Sequence, residues 1–357
     1  MRILFLTYSG RPDNGYDVVG ANVARGLVKD GGMEVDTYAL AVNNPSITDR
    51  NCLGSISVLR FGWVATLHDV LLLLFKCRGR EYDLIHCNVE HFAPVAMLLS
   101  TRWRVPYTVT VHGTYGVVLP RRKRMFKTSF ERAAALICVS DYTAQRVQNE
   151  GINAHYKVIH NGVDTTVFSP GNPAKKENPI TFIGNLKRRK GFPFLLEALL
   201  KARQDGAAFR LAVVGRIGND EEGLINKGLK AGLDIELTGP VSTEELVGYY
   251  RRAKLNILPS FSEPEYFEGF GLVHLEANAC GTLTVGTRDS GNAEAILSGN
   301  GYLVDYGDVE TLAGIVTATM QEDSPERLMP AHSGLRDWKV DAGEYASMFR
   351  TLLISQA

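Results

Sequence analysis

Pro259-Ser-Phe-Ser-Glu-Pro-Glu-Tyr-Phe-Glu268-Gly-Phe-Gly-Leu-Val-His-Leu-Glu276-Ala277 carries two carboxylates, with seven residues between them, around a glycine-bearing turn that opens a helix. Gly269 and Gly271 lack a Cβ, so the backbone there can approach a ligand closely. The free N–H groups of the following helix attract anionic oxygens. With Phe270 between the glycines, the loop reads as a cradle for phosphate or hydroxyl groups. At about 3.6 residues per turn, Glu276 lies two turns beyond Glu268 and roughly a quarter-turn off its line, so both carboxylates can border one cleft. A carboxylate accepts paired bonds from vicinal hydroxyls such as those of a ribose. The plainer reading is an ordinary loop-to-helix start with glutamate complementing the helix dipole.

Outward from this stretch, short apolar runs alternate with longer amphipathic ones. Ile3–Thr7, Glu34–Ala39, Leu84–Cys87, Tyr107–Val111 and Ala135–Val139 read as strands buried on both faces, while Val18–Lys29 and Phe92–Ser100 carry helical spacing. Such alternation implies a parallel, doubly wound sheet. Val158-Ile-His-Asn161-Gly162-Val-Asp164 reads as a strand and an Asn-Gly turn with positive φ, and the Pro/Gly/polar stretch 169–179 shows no period. A second alternation runs through Ile180–Ile183, Phe192–Arg203, Arg210–Val214, Ile235–Thr238, Thr243–Arg251, Leu255–Leu258 and Leu283–Val285. A chain of 357 residues exceeds a single core. The expected architecture is α/β, with two Rossmann-like domains, 1–168 and 180–334, joined by a linker at 169–179 and facing each other across a cleft. A terminal helix is expected within 335–357.

Composition narrows the function classes. Apolar residues make up 45% and charged ones 22%, and the formal net charge is +0, so no global field recruits nucleic acid. Cys52, Cys77, Cys87, Cys138 and Cys280 are scattered and odd in number, which argues for reduced packing residues and a cytoplasmic chain. Met1-Arg-Ile-Leu-Phe-Leu-Thr-Tyr8 is too short in apolar length for a secretion signal and reads as a buried strand. Val70-Leu-Leu-Leu-Leu-Phe75 is bracketed by His68, Asp69, Lys76 and Arg78 too tightly for the ~20 residues of a membrane span, so it reads as a core helix.

The run Glu268-Gly-Phe-Gly-Leu-Val-His-Leu-Glu276-Ala-Asn-Ala-Cys-Gly281 resembles the E-x7-E signature of retaining glycosyltransferases of family 4. The resemblance implies the GT-B fold, with the terminal helix returning to pack on the N-terminal domain. It implies transfer of a sugar from a UDP-, GDP- or ADP-sugar to a hydroxyl of a glycan, glycolipid or small molecule. In it Glu268 holds the donor sugar and Glu276 the ribose. Phe182-Ile-Gly184-Asn-Leu-Lys-Arg-Arg-Lys190-Gly191 is similar to the family's Gly-Arg-Leu and Lys-Gly pattern, whose arginine and lysine clamp the donor diphosphate. Lys190 matches. Asn185 stands where the arginine is expected, so the second clamp is missing or comes from Lys187, Arg188 or Arg189.

Thr110-Val-His112-Gly113 sits at a strand end, where ligands of open α/β sheets collect, and resembles the family's histidine near the transferred sugar; His86 ends another strand and is a weaker candidate. Pro12-Asp-Asn-Gly15-Tyr16 replaces the family's Gly-Gly loop: Gly15 keeps the close backbone approach, while Tyr16 takes the second glycine's place. Thr238-Gly-Pro-Val241 resembles the loop whose main chain meets the nucleobase, and main-chain contacts leave the base undetermined. No Asp-x-Asp pair is present, Glu263-Pro-Glu265 being the nearest approximation, so metal-free and cofactor-free transfer is expected.

Arg121-Arg-Lys-Arg-Met-Phe-Lys127 reads either as a solvated helix start or as a peripheral contact with the inner membrane face. Two further readings stay open: a nucleotide-sugar 2-epimerase of the same fold, and an inactive sugar-nucleotide-binding protein.

Overall fold

The computed structural model describes residues 1–9, 15–41, 63–172, 179–218, 221–324, 330 and 334–354. Cys52, residues 12–14 of the first loop and residues 173–178 of the expected linker lie outside them. The chain divides into two compact units, Met1–Asn161 with Trp338–Ala357, and Gly162–Asp337. The division therefore falls at Asn161/Gly162, ahead of the expected boundary at 168.

Unit 1 is built on β1 (Arg2–Ser9), β2 (Glu34–Ala41), β3 (Leu84–Cys87), β4 (Tyr107–Val111), β5 (Ala135–Cys138) and β6 (Tyr156–Val158), in the spatial order β2-β1-β3-β4-β5-β6. All pairs between these strands are parallel. β3, β4 and β5 are buried at every residue, as continuous apolar runs covered on both faces must be. The connections are α1 (Gly15–Lys29), α2 (Trp63–Lys76), α3 (Ala93–Trp103), α4 (Thr114–Arg122), α5 (Arg124–Glu131) and α6 (Asp141–Gln148). β1 to β2 runs one way along the sheet and the later steps run the other. Right-handed crossovers thus put α1 on one face and α2 to α6 on the opposite one.

Unit 2 repeats the plan with β7 (Pro179–Ile183), α7 (Phe192–Gln204), β8 (Arg210–Val214), α8 (Glu222–Lys230), β9 (Ile235–Gly239), α9 (Thr243–Arg252), β10 (Leu255–Ile257), α10 (Leu272–Ala279), β11 (Leu283–Thr287), α11 (Asn292–Ala295), β12 (Gly301–Val304) and α12 (Val309–Gln321). Its sheet order is β12-β11-β10-β7-β8-β9. Phe182, Phe192, Leu195, Leu211 and Val285 form its core around β7, with α7 and α12 packed together on one side. Each unit is a Rossmann-like layer structure, as the alternation predicts.

The last helix, α13 (Trp338–Ile354), belongs to unit 1 and packs on α1. Gly26 makes this approach: a Cβ there would lie 2.2 Å from that of Ala342. Tyr345 Oη lies 3.1 Å from Thr110 Oγ1, and the Tyr345 and Phe349 rings close over His86 at 5.6 and 5.3 Å.

Three expectations are corrected. Gly162 is not among the left-handed glycines, because Val163 is extended, pairing with Asp337 and donating its N–H to Arg336 O at 2.8 Å. His86 is fully buried with Nδ1 2.8 Å from Thr108 Oγ1, and burial lowers its pKa to about 3. It is a satisfied core histidine. The apolar run in α2 is only half core: Val70 and Leu73 are buried, while Leu71 is 66% and Phe75 77% exposed.

Candidate functional site

In unit 2 the loop leaving β7 and the loop leaving β10 meet at the carboxyl end of the sheet, where open α/β folds collect ligands. Gly191 lets them touch. Its φ is +74, and a Cβ would sit 1.9 Å from Pro259 O, so another residue would push the loops apart. Phe261 N–H donates to Arg189 O at 3.0 Å, pinning the basic loop alongside.

Three groups converge as a result. Glu268 Oε2 lies 2.5 Å from Arg189 Nη1 and 2.6 Å from Lys190 Nζ, and it sits 3.4 Å from Ser260 Oγ. The Glu268 carbonyl accepts the Gly291 N–H at 3.0 Å, so the backbone carrying the carboxylate is held as well. Burial alone would raise the Glu268 pKa, but the charges of Arg189 and Lys190 outweigh it and hold the carboxyl well below the usual range. Burial pulls Lys190 down, and Arg189 beside it adds to this; Glu268 offsets only part. Two cations against one carboxylate leave one positive charge in a largely buried place. A diphosphate would find complementary charge there.

Arg188, one of the three alternatives for the second clamp, reaches instead to Glu263 on the exposed rim at 2.8 Å. Asn185 Oδ1 accepts the Arg216 N–H at 3.3 Å, so the position of the family's arginine is occupied by a loop brace. Arg189 stands beside Lys190. Sequence pattern named it only as one of three alternatives, since adjacent basic residues in a loop have no period to say which turns inward.

Gly271 caps α10 with φ +85, and a Cβ there would lie 2.4 Å from Asn292 Oδ1. Phe270 is buried, while Val241 is half-buried between β9 and α9 and precedes Ser242, whose hydroxyl caps α9 with Glu245 reciprocating. Within α10, His274 turns to the core and meets Thr284 Oγ1 at 2.5 Å, and Glu276 turns the other way.

Glu276 Oε2 accepts the Tyr250 hydroxyl at 2.8 Å. Tyr250 is fully buried near the end of α9, where Thr282 Oγ1 donates to the carbonyls of Tyr250 at 2.5 Å and Ala253 at 3.2 Å. Burial raises the Glu276 pKa to about 7, with the Tyr250 bond opposing. Sequence reading missed Tyr250, because nothing in Tyr249-Tyr250 says which ring turns inward.

Unit 1 places His112 at the end of β4. Its Nε2 lies 2.6 Å from Asn88 O, and a carbonyl only accepts, so Nε2 carries the proton. Burial pushes the imidazole pKa down. The ring is therefore neutral near pH 7 and Nδ1 keeps a lone pair that can accept a hydroxyl. Glu90, just past β3, accepts the His112 N–H at 2.8 Å; burial raises its pKa to about 7, against the backbone N–H groups of His112 and Gly113. The strand-end position would have found Glu90, as it found His112. Tyr16 stacks obliquely on His112 with centroids 6.1 Å apart, and Asn88 Nδ2 donates to Tyr16 O at 2.9 Å. Gly15 begins α1 and is exposed.

Comparison with known proteins places the chain in a family. Residues 14–167 match Glycosyltransferase Family 4, and residues 164–332 match Glycosyl transferases group 1. The D-inositol 3-phosphate glycosyltransferase of Corynebacterium jeikeium (strain K411) is 31% identical over 322 residues, covering 78% of this chain and 75% of that protein. Among solved structures, sucrose-phosphate synthase from Thermosynechococcus elongatus superposes with a TM-score of 0.78 at 20% identity, over 99% of this chain and 100% of that one. HepE of Anabaena, in complex with UDP and glucose, gives 0.78 at 19% identity, over 98% and 100%. These structures share the GT-B fold of two Rossmann-like domains. With the two family profiles dividing the chain between them and a relative at this identity and coverage, the chain belongs to glycosyltransferase family 4.

Proposed function

We propose that this glycosyltransferase takes its sugar from a nucleoside diphosphate sugar and delivers it, with retention of anomeric configuration and without a metal ion, to a hydroxyl of a small polyol phosphate. The observation that carries the reading is the convergence of Arg189 and Lys190 on Glu268. When the donor enters, its diphosphate takes over the two cations and frees Glu268 for the sugar hydroxyls. As the glycosidic bond breaks, negative charge grows on the departing phosphate oxygen, where fixed cations in a water-poor site stabilise it most. Glu276, oriented by Tyr250, accepts the ribose hydroxyls, and in unit 1 His112 Nδ1 offers a lone pair to a sugar hydroxyl. No residue in these groups is set up as a covalent nucleophile with its own base, so front-face displacement fits them best. The acceptor class follows the inositol 3-phosphate named for the relatives, and the base remains to be chosen among uracil, guanine and adenine.

Thermal shift with UDP, GDP and ADP chooses the base, since a ligand at 100 times its Kd adds about 2.7 kcal/mol of apparent stability. NMR of donor plus inositol 3-phosphate then shows whether an axial or equatorial bond forms. An inverted product, or donor epimerised in the absence of acceptor, overturns the reading. Transfer should run at a similar rate in excess EDTA and in Mg²⁺; complete loss with EDTA, restored by Mn²⁺, overturns the metal-free step and points to Glu263 and Glu265.

A further inference from the structure

The helix α2 presents an exposed apolar stripe among the described residues of unit 1. Leu67, Leu71 and Phe75 stand four residues apart, on one line of the helix surface, at 50%, 66% and 77% exposure. Isolated exposed apolar residues are ordinary, but three in register mark a contact surface. The only acid within α2, Asp69, is buried and faces Tyr38 and His68. Basic residues lie close in the chain and on the neighbouring helices. Arg78 follows α2, and Arg102 and Arg104 end α3, which packs directly on α2. Arg124 begins α5, which packs on α3. All four are exposed, and none forms an ion pair among the described residues. Exposed Glu81 is the nearest opposing charge in sequence, since Asp83 accepts the Arg2 N–H.

Two properties of this face choose its occupant. With Arg78 just past α2 and Arg102 and Arg104 at the end of the helix packed on it, this face repels a second copy of itself, whereas an anionic headgroup layer complements both its apolar and its basic parts. At 14 residues and about 1.5 Å rise each, α2 is far short of the roughly 30 Å hydrocarbon core, and no described helix is long and apolar enough to cross a membrane. Such a helix lies in the interface plane. We propose that α2 docks unit 1 on an anionic lipid bilayer, with Leu71 and Phe75 entering at headgroup depth and Arg78, Arg102 and Arg104 meeting lipid charge. The basic run 121–127 is the lesser part of this surface: Arg121 is engaged by Glu150 at 2.5 Å, and Lys127 lies 3.9 Å from Glu131.

The test is flotation of the full chain with phosphatidylcholine vesicles and with vesicles containing phosphatidylglycerol, without donor or acceptor, so that it stands apart from the transferase reading. The chain should float with the anionic vesicles only and release as salt rises. Leu71→Ser with Phe75→Ser should weaken binding at least tenfold, and Arg78→Glu with Arg102→Glu likewise, while melting temperature and turnover on a soluble acceptor stay at wild-type values. Absence of wild-type flotation with anionic vesicles overturns the proposal, as does unchanged binding by the Leu71/Phe75 variant. Light scattering that shows a wild-type dimer turned monomeric by that variant makes the stripe a self-association face instead, and overturns it as well.

Discussion

At the scale of single residues, Glu276 is the group to follow by pH. Its pKa of about 7 lies above the ordinary 4.5, so between these values the folded chain keeps a proton that the unfolded chain has lost. Stability from this group is complete below about pH 4.5 and declines as pH rises through about 7. Glu276→Gln should flatten that decline in calorimetry, leaving the parallel contribution of Glu90 in unit 1. Tyr250 lowers the Glu276 pKa, so Tyr250→Phe should shift the pH midpoint of nucleotide binding upward. An unchanged midpoint would reduce Tyr250 to a packing residue. Lys190→Ala and Arg189→Ala should each lower kcat by about 2.7–4 kcal/mol in barrier, whereas Arg188→Ala, on the exposed pair with Glu263, should cost less than about 1 kcal/mol. Steady-state kinetics that rank Arg188 above Arg189 would reverse the assignment of the second cation.

Single elements matter through how their ends are aimed. α10 is only eight residues long, and its start is set by Gly271 in the left-handed region beside Asn292. Gly271→Ala asks for a conformation that L residues adopt at a cost of about 1–3 kcal/mol, and it also displaces the Asn292 side chain, whose Nδ2 holds Leu258 O at 3.0 Å. The expected outcome is a lower melting transition together with a raised KM for the donor, because the same turn carries Glu268. If kinetics are untouched in a destabilised protein, the turn supports the fold alone.

The whole molecule is two units, and the end of the chain belongs to the first. Phe349 is fully buried in unit 1 against His86 and Tyr345, so Phe349→Ala should remove about 3–5 kcal/mol from that unit. Two-state unfolding does not hold across two units with separate cores, so calorimetry should show the unit 1 transition falling while that of unit 2 stays in place. A concerted fall of both would show that the units unfold as one.

Sequence alone determined the fold class, because period and burial are local statements: Tyr107–Val111 must be a strand covered on both faces whatever surrounds it. It also determined Glu268, Glu276, Lys190 and His112 as candidates, since a turn between spaced carboxylates and a strand-end histidine are patterns along the chain. β12 escaped notice because Gly-Tyr-Leu-Val is too short and mixed to show a period. What tertiary structure decided were choices between near-identical neighbours: Arg189 rather than Arg188 on Glu268, Tyr250 beneath Glu276, Leu73 inward and Leu71 outward on one helix. Residues of the same type side by side have the same propensity. Only the direction of the side chain, fixed by what packs against the backbone, tells them apart.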